Sequence, residues 1–302
     1  MPPSGHTHQA LFYRSDREYL EGLTRFLRPA AASAEPVALA LPQPKLRLVG
    51  EHLADVSNKK LLDMSEVGRN PGRILAVIER LREEDRGRTL YYVGELIWPG
   101  RTPEEIREAV RHEALINVAL GDTPTRLLCP YDAAGLDADV LASAKRTHPE
   151  IVEHGTAHSS SSYTEAIPPE CEVPLSAPPD EAASYVVEEG ALGALRAVIR
   201  DHGRDAGCGG DRVDDLQIVA NELATNALRH GAPLRQVTLW RTPEKVICQV
   251  ENEGAISDPL AGRRHPEPKA VRGMGLWIVH QLSDLVEVRD GTRTTVRAHL
   301  AA

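Results

Sequence analysis

Aromatic residues are scarce in this chain of 302 residues: they make up 4% of it, and only two are Phe. Any core must therefore be built from Leu, Val, Ile and Ala. No uninterrupted apolar stretch is long enough to cross a bilayer, so no membrane partner is expected. The opening Met1-Pro2-Pro3-Ser4-Gly5-His6 lacks a basic region followed by an apolar one, which argues against a secretory signal and for a cytoplasmic location. The four cysteines, Cys129, Cys171, Cys208 and Cys248, form no CxxC pair. That spacing suits neither a zinc ribbon nor a disulfide framework, and reduced, structural thiols are expected. Positive charge is also short: 35 Lys and Arg stand against 44 Asp and Glu, a net charge of -9. This balance argues against direct binding of nucleic acid.

What is present reads as two soluble domains, since 41% of residues are hydrophobic and 26% charged. The boundary falls in residues 158–180, where Ser159-Ser160-Ser161-Ser162 is followed by Pro168-Pro169, Pro174 and Pro178-Pro179. Repeated proline removes backbone donors, so this segment reads as a linker docked along a surface between residues 1–157 and 181–302.

The first half alternates strand and helix patterns. Pro36–Leu41, Lys60–Met64, Thr89–Val93 and Arg126–Cys129 read as strands, and Asp16–Leu27, Gly72–Glu83 and Pro103–Leu120 as helices. Thr102 is the expected N-cap of the last helix, with Pro103 and Glu104-Glu105 in its first turn. Such alternation predicts an α/β domain with a mainly parallel sheet. No P-loop (Gly, four residues, Gly-Lys, then Ser or Thr) follows any of these strands.

The second half predicts an α+β two-layer sandwich. A strand over Ala183–Glu188 and a helix over Ala191–His202 precede a second helix that ends at Arg229 before Gly231. Gln236–Arg241 and Lys245–Glu251 alternate as strands, a helix starts near Gly275, and Val286–Arg289 and Thr294–Leu300 form a hairpin around Asp290-Gly291.

Within the second helix, Glu222 and Asn226 are four residues apart and share a face beside the apolar stripe Leu216, Val219, Ala220, Leu223 and Ala227. A carboxylate next to a carboxamide suits a phosphate site, where the amide oxygen can ligate Mg²⁺ and the carboxylate can take a proton. Taken alone, the pair reads better as solvated helix residues. Two further signals change that balance: Arg272-Gly273-Met274-Gly275, a glycine turn feeding a helix, and Val250-Glu251-Asn252-Glu253-Gly254 at a strand end.

In this order the three segments resemble the N, G1 and G2 boxes of the GHKL ATPase superfamily, and within it the anti-sigma factor serine kinases. The likeness covers about Ala182–Ala301. It implies ATP and Mg²⁺ as cofactors, Glu222 as general base, Asn226 as Mg²⁺ ligand, and Asn252, Gly254, Gly273 and Gly275 around the nucleotide, with Ile256–Val271 as a short lid. One departure matters: the G1 box carries Asp where this chain has Asn252, and a second glycine is replaced by Ile256. Asn accepts a hydrogen bond but loses the charge, so weakened nucleotide affinity is expected. No long dimerisation helix with a phosphoacceptor His precedes the domain, which sets a histidine autokinase aside.

The first half carries His6-x-His8, then Leu11-Phe12-Tyr13, Gly94-Glu95-x-x-Trp98, His112-Glu113 with Asn117 on one helix face, Cys129-Pro130-Tyr131, and Thr147-His148-Pro149. This order resembles the MEDS sensory domain, over about His6–Tyr163. The resemblance implies a relative of the RecA/KaiC fold that has no P-loop and a pocket for an unknown small molecule. His6, His8, Tyr13, Glu95, Trp98, Glu113, Asn117, Cys129 and Tyr131 are the pocket candidates. A tail or capping role for His6-x-His8, a Glu113–Arg pair and a buried structural Cys129 are the plainer alternatives, and a metal or haem ranks below an organic ligand.

The combined resemblance implies a regulator with a sigma factor and a STAS-type anti-sigma antagonist as partners, a homodimer being compatible with it. The alternative is a pseudokinase that binds proteins under ligand control without catalysis.

Overall fold

Thr102 shows how closely local chemistry sets the elements of this computed structural model. Its hydroxyl accepts from the Glu105 amide while the Glu105 carboxylate accepts from the Thr102 amide, so two orphan donors at the start of the helix Pro103–Leu120 are satisfied at once. The structure describes residues 5–53, 56, 58–187, 190, 192–230, 235–253, 255–266, 273–291 and 293–302. It forms two units, Met1–Cys171 and Glu172–Ala302.

The first unit runs β1 (Thr7–Tyr13), α1 (Asp16–Ser33), β2 (Val37–Leu41), α2 (Gln43–His52), β3 (Lys59–Asp63), α3 (Met64–Val67), α4 (Ile74–Glu84), β4 (Leu90–Gly94), α5 (Pro103–Leu120), β5 (Thr125–Asp132), α6 (Ala138–Thr147), β6 (Glu150–Glu153) and β7 (Thr156–Ser159). Its sheet has the order β3-β2-β4-β5-β1-β6-β7. All pairings are parallel apart from the β6–β7 hairpin. Layers of helix cover both faces, which is why β2 reads as an unbroken apolar run and every one of its residues is buried. Leu11 and Tyr13 of β1 face the layer of α1 and α2, in one core with Leu23, Leu27, Leu39 and Val49. Period-two alternation sends His8 to the opposite face, against α5.

Three features depart from the sequence reading. Helix α1 continues past Pro29 to Ser33, although a proline costs the helix a hydrogen bond. Leu27 and Ala30 are buried on either side of it and hold the turn, which ends where Ala34 adopts φ 52 and its amide returns to Ala30 and Ala31. His8 belongs to an interior strand and not to a tail, since β1 lies between β5 and β6. The Ser-rich stretch also belongs to the first unit. Ser159 ends β7, Ser160 donates to the Lys145 carbonyl at 2.6 Å, Glu170 accepts from Ser143 at 2.6 Å, and Cys171 is buried. The units therefore divide at 171/172 and not across the whole of 158–180.

The second unit runs β8 (Ala183–Val186), α7 (Leu192–Asp205), α8 (Gly210–His230), β9 (Arg235–Arg241), β10 (Lys245–Asn252), α9 (Met274–Leu282), β11 (Leu285–Arg289) and β12 (Thr294–Ala301). Its sheet has the order β11-β12-β10-β9-β8 and is antiparallel throughout. The expected stripe on α8, from Leu216 to Ala227, is buried against Val237, Leu239, Val246, Cys248 and Val250, and α7 and α9 share that core. Burying each large apolar side chain in it contributes about 1.5–3 kcal/mol. The other face of the sheet is polar: Arg297 donates to Gln249 at 2.7 Å, and His299 pairs with Glu287 at 3.0 Å. The extended chain after Glu172 crosses it, where Arg289 donates to the Val173 carbonyl and Arg297 to that of Ser176. Gly231, the expected end of α8, lies outside the described residues.

Candidate functional sites

In the second unit, Glu222 and Asn226 are half-buried on the flank of α8, next to the apolar stripe. The first turn of α9 passes directly against them. A Cβ built on Gly275 would lie 2.6 Å from Glu222 Oε2 and 3.1 Å from Asn226 Nδ2, so glycine is what permits the approach. Gly273 caps α9 with φ 97, a backbone region that side chains disfavour. The two glycines thus serve different ends, one a close contact and the other a left-handed turn.

Beside them opens a cavity of 250 Å³ lined by Leu223, Asn226, Val250, Asn252, Ile256, Asp258, Gly273, Gly275 and Thr294, among others. It brings Asn226, Asn252, Gly273 and Gly275 together. Glu222 reaches Gly275 but is not among the lining residues. Gly254 lies outside the described residues, as do the lid residues from 267 to 271. Ile256 packs against the apolar core and forms part of the cavity wall. Asp258 and Thr294 were not anticipated. Asp258 follows from turn chemistry, since Ser257-Asp258-Pro259 begins a turn in which its carboxylate accepts from the Leu260 amide at 2.9 Å. Thr294 is Asn252's partner across the β10–β12 ladder, a relation visible only once the register is known.

In the first unit the pocket candidates separate into groups. Tyr13 donates to Glu95 at 2.9 Å on the α1 side of the sheet, Tyr19 packs edge-on against Tyr13 with centroids 4.8 Å apart, and Lys45 lies over both rings. Burial pushes the Glu95 carboxyl up to about 7, against the opposing pull of Tyr13, Lys45 and Tyr19. Trp98 stacks under the Arg101 guanidinium, 4.1 Å away. His6 meets the Gly121 carbonyl at 2.6 Å.

The remaining candidates gather on the α5 side. His8 Nε2 lies 3.0 Å from Glu113 Oε2 and 3.3 Å from Cys129 Sγ, and His8 Nδ1 lies 3.0 Å from Asn117 Oδ1. Tyr131 is buried alongside. Burial raises the Cys129 thiol well above its ordinary value, with Glu113 adding to the shift. His148 completes the group. Its ring lies 4.0 Å from that of His8 and its Nε2 is 3.6 Å from Glu113 Oε2. Burial, then His8, hold it well below the usual imidazole range. The signal for His148 was Pro149: a residue before proline is pushed out of the helical region, and His148, at φ -113 and ψ 124, turns off the end of α6 toward the sheet.

Two family matches agree with this division. Residues 7–149 match the MEDS family (methanogen/methylotroph, DcmR sensory domain). Residues 186–300 match the histidine kinase-like ATPase domain. The comparison with curated proteins gave no match. The chain is thus a sensory-type α/β domain followed by a kinase-like ATPase domain whose antiparallel sheet carries its helices on one face. Such a domain implies ATP binding, usually with Mg²⁺. Among the described residues no helix is long and apolar enough to cross a membrane.

Proposed function

We propose that this signalling regulator is a protein serine kinase of the anti-sigma type, controlled by its N-terminal sensory domain. It sequesters a sigma factor and phosphorylates a serine of a STAS-type antagonist. The observation that carries the reading is the approach of Gly275 to both Glu222 and Asn226, with Asn252 across the adjoining cavity. ATP with Mg²⁺ fits this donor set and supplies the transferable phosphoryl group. The Asn226 amide oxygen would hold the metal, Glu222 would take the proton of the serine hydroxyl at a carboxylate oxygen, and the Asn252 amide oxygen would accept from the adenine amino group. Gly273 and Gly275 let backbone amides approach phosphate at the start of α9. Ligand binding to the sensory domain shifts the balance between states that differ in their affinity for it.

The chain also supports a second reading, a docking module without catalysis. Asn252 favours it through the lost charge, and Ile256 through the bulk it adds to the cavity wall. Incubation with labelled ATP, Mg²⁺ and STAS-type antagonists separates the two. The kinase reading expects serine phosphorylation that Glu222→Gln lowers by about 10²–10⁴-fold. Wild-type chain that captures a sigma factor or antagonist yet transfers no phosphate would leave the docking reading standing.

A further inference from the structure

His8, Glu113, Cys129 and His148 come from β1, α5, β5 and the residue after α6, yet their ligand-type atoms all lie within 4.8 Å of one another and all four residues are buried. The hydrogen-bond network fixes where the imidazole hydrogens sit. Asn117 Nδ2 faces the carbonyls of Glu113, Ala114 and Thr147, so its Oδ1 must accept from His8 Nδ1 at 3.0 Å. His148 Nδ1 lies 2.8 Å from the Ala144 carbonyl, which only accepts. Both Nδ1 atoms therefore carry a hydrogen. In the neutral rings both Nε2 atoms then offer lone pairs, directed at the same carboxylate oxygen from 3.0 and 3.6 Å. Among the described residues, His148 Nε2 and Glu113 Oε1 have no hydrogen-bond partner. Lone pairs that face one another in a buried site call for a proton or a metal ion between them, and a metal ion answers both imidazoles at once.

We propose that these four side chains bind one divalent transition-metal ion of the zinc class through two imidazole nitrogens, a carboxylate oxygen and a thiolate. The spacing fits. With metal–nitrogen and metal–oxygen distances of about 2.0–2.2 Å and metal–sulfur of about 2.3 Å, the edges of a tetrahedron are roughly 3.3–3.6 Å. Four of the six donor separations are 3.0, 3.3, 3.5 and 3.6 Å, and all six lie within 4.8 Å. The charges also balance, because a dication with one carboxylate and one thiolate is neutral overall, as a buried site requires. Binding releases the Cys129 thiol proton to solvent. Both imidazoles already donate their other N–H to a fixed oxygen, the outer-shell arrangement that orients histidine ligands. A cavity of 420 Å³ lined by His6, His8, Asn117, Glu150, Tyr163 and Glu165 adjoins the group and offers a route for the ion. The proposal is independent of the kinase reading.

The test uses tag-free full-length chain, assayed for metals by mass spectrometry, then stripped and titrated with Co²⁺. The expected result is about one ion per chain and a cobalt spectrum with tetrahedral d–d bands and a thiolate charge-transfer band. Cys129→Ser removes the charge-transfer band, and His148→Ala weakens affinity at least about tenfold. Folded wild-type chain that binds no ion stoichiometrically overturns the proposal, as does a cobalt spectrum unchanged by Cys129→Ser. X-ray absorption on the zinc-loaded wild type needs no variant. One sulfur beside three nitrogen or oxygen donors supports the site, and no sulfur or more than one refutes it.

Discussion

The two units handle buried polarity in opposite ways. In the first, His8, Glu113, Cys129 and His148 are buried against one another beside a parallel sheet. In the second, the helices cover one face of an antiparallel sheet, and the polar residues Asn226, Asn252 and Asp258 line a cavity open to an occupant. The contrast separates two kinds of site. A closed cluster is specified by mutual geometry and takes an ion. An open one is specified by what it leaves vacant, above all by glycines, and takes a larger ligand.

The largest effect that sharpens this contrast lies in the first unit, at Glu95. Folded, its carboxyl is held at about 7 by burial; unfolded, it titrates at its ordinary 4.5. Between those values the folded state binds one proton more, so stability falls as pH rises through that window and levels off above it. The loss is on the order of 3 kcal/mol. Below the unfolded value both states are protonated and the stability is fully present. Glu95→Gln should flatten that slope, read as urea midpoints of the isoelectronic pair from about pH 4.5 to 7.5. An unchanged slope would move the proton uptake to another group and weaken the picture of a dry first unit.

Gly275→Ala probes the open site and should have a smaller effect. Alanine favours the helix by up to about 1 kcal/mol. Its Cβ, however, would displace the ends of Glu222 and Asn226, which lie 2.6 and 3.1 Å away. Nucleotide affinity should fall by about 10–100-fold, roughly 1.4–2.7 kcal/mol, while the thermal midpoint holds or rises. Calorimetric titration with Mg-ATP and a melting curve on the same sample check both halves. A parallel fall in stability and affinity would make Gly275 a packing residue only.

Legibility in the sequence followed the range of the interactions. The Thr102 cap, the α8 stripe and the Asp290-Gly291 hairpin depend on neighbours within a few residues, and all appear in the structure. The Glu222–Asn226 pair was visible because one helical turn separates them. The first-unit candidates could be named by type but not grouped, because the alternation of β1 sends Tyr13 and His8 to opposite faces. Phase along a strand of unknown boundaries was not available from composition. His148 escaped for a related reason, since it meets His8 across 140 residues of chain through the β1–β6 pairing. Thr294 likewise became a site residue only through strand register.

The smallest predicted effect falls at Asn252, the residue on which the two functional readings differ. It ends β10 beside Thr294 and lines the cavity with its side chain half-buried. A carboxylate there would make a charge-assisted bond to the adenine amino group, roughly twice as strong as the neutral one. Asn252→Asp should raise Mg-ATP affinity by about tenfold, or about 1.4 kcal/mol, and leave the fold unchanged. Titration of both proteins with a fluorescent ATP analogue measures the difference. Low-micromolar binding by the wild type, with no gain from aspartate, would mean that the carboxamide suffices and that the nucleotide site is intact. A gain accompanied by phosphotransfer that the wild type lacks would mean that the open cavity is the remnant of a catalytic site.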